Sequence, residues 1–309
     1  MERLASELLH HICTLACTDG GFTGCSLSLV SQYMRAASRS TRFHSITISG
    51  TAKQLDGFLS CLEKERAANA HAYKPVVRHL FFAAAEGGEI GKDWRGDPAN
   101  PSLEAARAHY GQNLALLLRL VTKDLQTLCF VHCHGWRSLT NLQISDVDCP
   151  KAFPVLRDLS LYGTNPFVQG PVHFPRLTHL HLTFSAYSVA EKIKDWADLA
   201  PRVTHLCVSD IRSISQELKD IAADGGPFHN LSQLCVQPQA PPPSGGRCGR
   251  GAFFAHIRFI ANFEAFVAAA THLPTKARRH QRLAPGDFTQ RAAMKVWLDR
   301  VGGGPGYWI

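Results

Sequence analysis

Apolar residues recur through the middle of the chain at a fixed spacing, three residues and then two. The units are Leu125/Leu128/Phe130, Leu139/Leu142/Ile144, Leu156/Leu159/Leu161, Leu177/Leu180/Leu182, Val203/Leu206/Val208 and Leu231/Leu234/Val236, with Val77/Leu80/Phe82 as an outlying member. The last two apolar positions of each unit lie two residues apart, which on a strand puts both on one face. A single instance carries little weight, but a run of them marks a repeat, each unit supplying one parallel strand to a common sheet.

Outside this array the period changes. Leu8, Ile12 and Leu15 stand at helical spacing, with Ser6 and Glu7 near the start, where a cap and a negative charge suit the helix dipole. Turn formers fill 18–24, and Leu27, Val30 and Met34 resume the helical spacing over 26–37, so the N-terminus predicts a helical hairpin. Residues 43–48 alternate like a half-buried strand. Leu55, Phe58, Leu59 and Leu62 predict a helix over 51–66, and Leu114, Leu117, Leu118 and Val121 another over 102–121. Helices are also expected over 189–199 and 213–223, between the last units of the array. Beyond it, 252–261 predicts a helix, 266–269 a closing strand and 289–301 a final helix that caps the open end of the sheet. The fold class expected is α/β: a helical hairpin, then an irregular leucine-rich-repeat-like solenoid with a parallel sheet. The divisions are 1–48 (hairpin), 49–122 (connecting helices and first strand), 123–237 (repeat array), 238–251 (a Pro/Gly linker) and 252–309 (a C-terminal cap).

Composition narrows the function classes. With 309 residues, 45% hydrophobic and 19% charged, the chain can bury a substantial core, which excludes wholesale disorder. The net charge of +8 is spread thinly and forms no basic stripe interleaved with aromatics, so no nucleic-acid partner is expected. Lys276, Arg278, Arg279 and Arg282 form a short basic run, read as a solvated loop with a nuclear-import signal as the other reading. Glu2, His10 and His11 interrupt any secretory leader. The most apolar stretch, 253–270, carries His256, Arg258, Asn262 and Glu264, which argues against a membrane span. The ten cysteines are irregularly spaced with no C-x-x-C pair, as expected of reduced thiols in a cytoplasmic or nuclear protein. Residues 87–92 fail as a phosphate-binding loop, because the glycine spacing is short and Asp93 replaces the magnesium-binding hydroxyl.

The N-terminal residues carry a family likeness. Leu4-Ala5-Ser6-Glu7-Leu8-Leu9-His10-His11-Ile12, then Leu27 to Met34 and Arg42 to Ile46, resemble the F-box, whose pattern begins Leu-Pro-x-Glu-Leu-Leu-x-x-Ile. The stretch Ala16 to Leu27 and the ending Trp297-Leu298-Asp299-Arg300 to Trp308 are similar to F-box-like proteins of basidiomycete fungi. That resemblance implies a non-enzymatic substrate-recognition subunit of a cullin-RING ubiquitin ligase. Leu4, Ala5, Leu8, Leu9, Ile12, Leu29 and Val30 would then bind a Skp-type adaptor, and the repeat face an unknown target protein, with neither a membrane partner nor a cofactor. Ala5 departs from the pattern, which has proline there. The alternative is an interaction scaffold whose hairpin is only a structural cap.

If the repeat leucines point inward, the residues between them face out. That assigns Thr127, Cys129, Asn141, Gln143, Asp158, Ser160, Tyr162, His179, His181, His205, Cys207, Gln233 and Cys235 to an exposed surface, with Asp158, Ser160, Tyr162, His179, His181, His205 and Cys207 as its target-binding face. His179 and His181 beside His205 and Cys207 could close around zinc; the competing reading, preferred here, gives each imidazole a hydrogen-bonding neighbour and no metal. Cys129, His132, Cys133 and His134 read as a strand end with buried thiols rather than a nucleophilic pair.

Overall fold

Leu80, Leu128, Leu159, Leu180, Leu206 and Leu234 stand side by side on six neighbouring strands, each at most 1% exposed. A computed structural model of the chain describes residues 4–49, 51–68, 74–84, 101–132, 150–163, 166–167, 172–183, 193–223, 225–242, 249–271, 279–282, 290–306 and 308. Its described strands are β1 (Ser45–Ile48), β2 (His79–Ala84), β3 (Thr127–His132), β4 (Asp158–Tyr162), β5 (His179–Thr183), β6 (His205–Ile211), β7 (Gln233–Pro238) and β8 (Arg279–Arg282). They form one sheet, parallel throughout, whose order in space is the order in the chain. The described helices are α1 (Ser6–Ala16), α2 (Phe22–Val30), α3 (Gln32–Ala37), α4 (Ala52–Ala68), α5 (Pro101–Val121), α6 (Asp195–Leu199), α7 (Gln216–Ala222), α8 (Gly249–Thr271) and α9 (Gln290–Val301).

The repeat builds each strand entry in the same way. The carbonyl of Arg157 accepts from the backbone N–H groups of Thr178 and His179, that of Thr178 from Thr204 and His205, and that of Thr204 from Ser232 and Gln233. Each of these entries is thus pinned to the one before it, with its first backbone donors satisfied. Beneath the sheet the first apolar position of each unit fills the layer against the connections. Phe174 lies between Phe153 at 5.4 Å and Trp196 at 5.5 Å, and all three are buried. Leu55, Leu59 and Leu62 of α4 and Leu114, Leu117, Leu118 and Val121 of α5 join the same core, which runs from Phe43 to Phe263. The helices expected over 51–66 and 102–121 are therefore present, and Val77/Leu80/Phe82 is a full member of the array.

Several elements differ from expectation. The second N-terminal helix is two, because Ser31 is extended (φ −164°, ψ 165°) and its hydroxyl accepts from Met34 N to start α3. Ala5 rather than Ser6 is the N-cap of α1, without a side-chain cap bond. β1, placed at the end of a separate 1–48 unit, pairs with β2 and belongs to the common sheet. Gln237 and Pro238 end β7 and are buried, so the ladder reaches the first residues of the Pro/Gly stretch. Residues 266–269 lie within α8, and the closing strand is β8, drawn from the basic run that had read as a loop. α9 lies over β2 and β3 instead of the open end of the sheet. The helix over 213–223 holds as α7, capped by Ser215, whose hydroxyl accepts from Leu218 N. Of the helix expected over 189–199, residues 189–192 lie outside the described residues and 195–199 are helix. The unit at 139–144, Asn141 and Gln143 among it, lies outside the described residues, as do residues 87–92, Cys133 and His134; β3 pairs directly with β4. Residues 251–269 of α8 are long and apolar enough to cross a membrane by composition; Phe263 is the one buried residue among them, and Phe259, Phe266 and Val267 pack on the core while the rest is largely exposed.

Two helical glycines have opposite surroundings. Any Cβ at Gly24 of α2 would overlap the backbone carbonyl of Arg42, whereas nothing lies within 4 Å of one at Gly57 of α4. Gly24→Ala is expected to cost about 1–3 kcal/mol through forced separation of α2 from that segment. Gly57→Ala is expected to stabilise by about 1 kcal/mol through helix propensity. Urea titrations of the two variants should therefore shift the midpoint in opposite directions.

Candidate functional site: two interaction surfaces

The first surface is the outer side of α1 to α3. On α1, Leu9, Cys13 and the following Cys17 are buried, at four-residue spacing, so Leu8, Ile12 and Leu15 turn outward. The stripe that would read as a core face is the exposed one. Leu4 and Leu8 are 56% exposed, Leu29 87% and Val30 68%, and Phe22 and Tyr33 extend the patch. So many exposed large apolar side chains on three short helices are uncommon on the surface of a monomer.

What holds these helices leaves the patch facing outward. Asp19 accepts from Thr23 N and from its hydroxyl at 2.6 Å, fixing the turn into α2. Gly20, at φ +79°, donates to Ser45 Oγ at 3.1 Å and its carbonyl accepts from Thr47 N at 2.9 Å, so the turn covers the edge of β1. Arg42, over the ring of Phe43, pairs with Glu65 of α4. Of the expected adaptor-binding residues, Leu4, Ala5, Leu8, Ile12, Leu29 and Val30 are exposed and Leu9 is buried. Leu15, Phe22 and Tyr33 were missed, although Leu15 shares the spacing of Leu8 and Ile12.

The second surface, the face of the sheet opposite the leucines, is largely covered. Ala293 and Trp297 of α9 pack on Phe81, Ala83, Cys129, Val131 and Tyr162, with Trp297 5.6 Å from the ring of Phe81. Arg300 reaches down to Asp158 at the start of β4 in an ion pair. Asp299 accepts from Gly306 N at 2.8 Å, which folds the glycine-rich ending back and lays Trp308 against His179 and His205. The Trp-x-Asp-Arg ending is therefore a clasp over the sheet.

This overturns the expected exposure. Asp158, Tyr162, His181, Cys207, Cys129, Gln233 and Cys235 are buried, and Thr127, Ser160, His179 and His205 are partly buried. His179 and His205 stack at 4.4 Å, each imidazole bonded to the preceding threonine hydroxyl. His181 sits in a polar chain. Ser209 donates to Gln237 Oε1 at 3.1 Å, so His181 Nε2–H donates to Ser209 at 2.8 Å, and Nδ1 accepts from the Tyr162 hydroxyl at 3.2 Å. Among the described residues no three His, Cys, Asp or Glu side chains are grouped to hold a metal.

Burial sets the protonation states. It lowers His179 and His181 to about 3, with Arg300 adding to the effect, and pushes Asp158 up to about 6 although Arg300 pulls it down. It raises the Cys129 thiol well above its ordinary value and Cys235 to about 11, so neither is a thiolate nucleophile at neutral pH. The cysteines that are described are free thiols. No protein-family model and no curated protein matches the sequence.

Proposed function

We propose that this chain is a substrate-recognition subunit of an F-box ubiquitin ligase, acting by proximity without chemistry of its own. α1 to α3 dock a Skp-type adaptor, the leucine-rich-repeat-like array is the scaffold, and a target protein is held where the ligase can reach its lysines. The observation that carries this reading is the outward turn of Leu4, Leu8, Ile12, Leu29 and Val30; a purely structural cap would bury them. Ala5 is compatible with it, since its φ of −58° is the angle proline imposes and the N-cap position needs no intrahelical donor. Cytoplasm or nucleus is the compartment this role requires.

The cap reading has one observation of its own, the Gly20 turn over the β1 edge. The two are separated by co-purification with a Skp-type adaptor. Wild type and Ala5→Pro are expected to form a one-to-one complex, and Leu29→Asp with Val30→Asp to weaken it by at least about a hundredfold while the fold stays intact, as for hot-spot residues at an interface centre. Failure of both wild type and Ala5→Pro to retain the adaptor sinks the ligase reading and leaves the cap.

A further inference from the structure

A cleft of about 820 Å³ lies between α7 and one side of α8. On α8 its wall is formed by Ala255, Arg258, Phe259, Asn262, Phe266 and Ala269, the spacing of one continuous helix face. That wall runs for about 21 Å at 1.5 Å per residue, matching a docked helix of roughly four turns. Across it stand Ile214 and Ala222. Short side chains at Ala222, Ala255, Ala265 and Ala269 let another backbone approach closely. The cleft owes one rim to an irregular strand end: the β6–β7 register shifts between Val208 and Ile211, Asp210 takes φ +58°, and Arg212 to Ile214 follow directly along the cleft.

Charge selects the occupant. Arg212, Lys219 and Arg258 line the cleft and, among the described residues, no carboxylate does. None of the three forms an ion pair with a carboxylate of the described residues, and the carboxyl that feels Arg212 is that of Asp210, two residues before it. A basic ligand would be repelled, and a wholly apolar one would strip water from three cations without pairing them. We infer that this cleft docks an acidic amphipathic helix of a target protein, its apolar stripe on Ile214, Phe259 and Phe266 and its carboxylates at Arg212, Lys219 and Arg258. This deepens the recognition role proposed above and rests on it, and it moves the target site from the clasped face of the sheet to the cleft between α7 and α8.

The test is fluorescence anisotropy of the full chain with a labelled peptide of about fourteen residues, leucines at helical spacing and glutamates flanking them. The expected result is saturable binding that weakens with added salt and falls at least about tenfold with Lys219→Glu plus Arg258→Glu. Ala265→Trp, which fills the cleft without changing charge, should weaken it comparably. The same peptide with lysine for glutamate should not bind. Equal binding of both peptides, or wild-type affinity in both variants, overturns the proposal. So does sedimentation with phosphatidylserine vesicles that needs Lys219 and Arg258 while the peptide fails to bind, which would mark an anionic membrane site. Adaptor co-purification of the cleft variants is expected to match wild type, so loss of peptide binding and loss of adaptor binding are read separately.

Discussion

Arg300→Met is expected to destabilise the fold by roughly 3–5 kcal/mol, the cost of leaving one partner of a buried ion pair behind. Asp158 is 6% exposed beneath α9, and burial already pushes its carboxyl up to about 6 with Arg300 beside it. Without the guanidinium, the carboxylate at neutral pH must stay charged in an apolar layer or take up a proton, and either course disfavours the folded state. Asp158→Asn combined with Arg300→Met is expected to recover most of the loss, because no uncompensated charge remains. The loss in Arg300→Met alone is expected to shrink as pH falls toward about 6, because a carboxyl without the guanidinium takes up its proton at a higher pH than the about 6 it has beside Arg300. Urea titrations at two pH values check this. If instead α9 simply lifts away, the loss stays below about 1 kcal/mol, and dye binding reports the bared Phe81, Val131 and Trp297. That result would remove the clasp from the account.

The clasp was hidden in the sequence for a physical reason. Alternation in β4 and β5 gives Ser160, His179 and His181 between leucines, and polar residues there read alike on a bare face or under a helix that supplies partners. The signal lay in the neighbouring strands. Phe81 and Ala83 on β2 and Cys129 and Val131 on β3 are apolar on the face opposite the leucines, so both sides of these strands are hydrophobic, as in a sheet covered twice. The leucine ladder was legible because its central position is buried in every described unit, whatever the length of the connections. β8 was not, since Arg279, His280, Gln281 and Arg282 lack any apolar alternation; charge on an edge strand is a device against pairing with other chains. On α1 the helix was legible and its orientation was not: Leu8, Ile12 and Leu15 outweigh Leu9, Cys13 and Cys17 in hydrophobicity, yet the smaller thiols face inward. That mismatch between apolar content and burial is what the proposed adaptor surface rests on.

Acid is expected to unfold the chain through its buried histidines, and His181 shows the size of the effect. In the folded chain it must be neutral, since Nδ1 accepts from Tyr162 while Nε2–H donates to Ser209. Burial first, and Arg300 second, lower its pKa from 6.5 to about 3. The folded state therefore refuses a proton that the unfolded chain accepts, so this contribution is complete above about pH 6.5 and is lost as pH falls from there toward 3. At about 1.4 kcal/mol per pH unit, roughly 2 kcal/mol is gone near pH 5. His79 and His179, also lowered to about 3, and His44, lowered to about 4, act in the same direction. Asp158 and Asp210, raised to about 6, oppose them, because the folded chain binds those protons more readily as pH drops through 6 toward 4. With five lowered histidines, His205 among them, against two carboxyls, the net slope is toward unfolding. His181→Gln keeps a donor and an acceptor without a titrating ring, and its stability is expected to fall by about 2 kcal/mol less than wild type between about pH 7 and pH 5. Tryptophan fluorescence in urea at both pH values measures the difference, and parallel losses in the two proteins would mean that His181 is protonated in the folded chain and that the polar chain from Tyr162 to Gln237 is not what keeps it neutral.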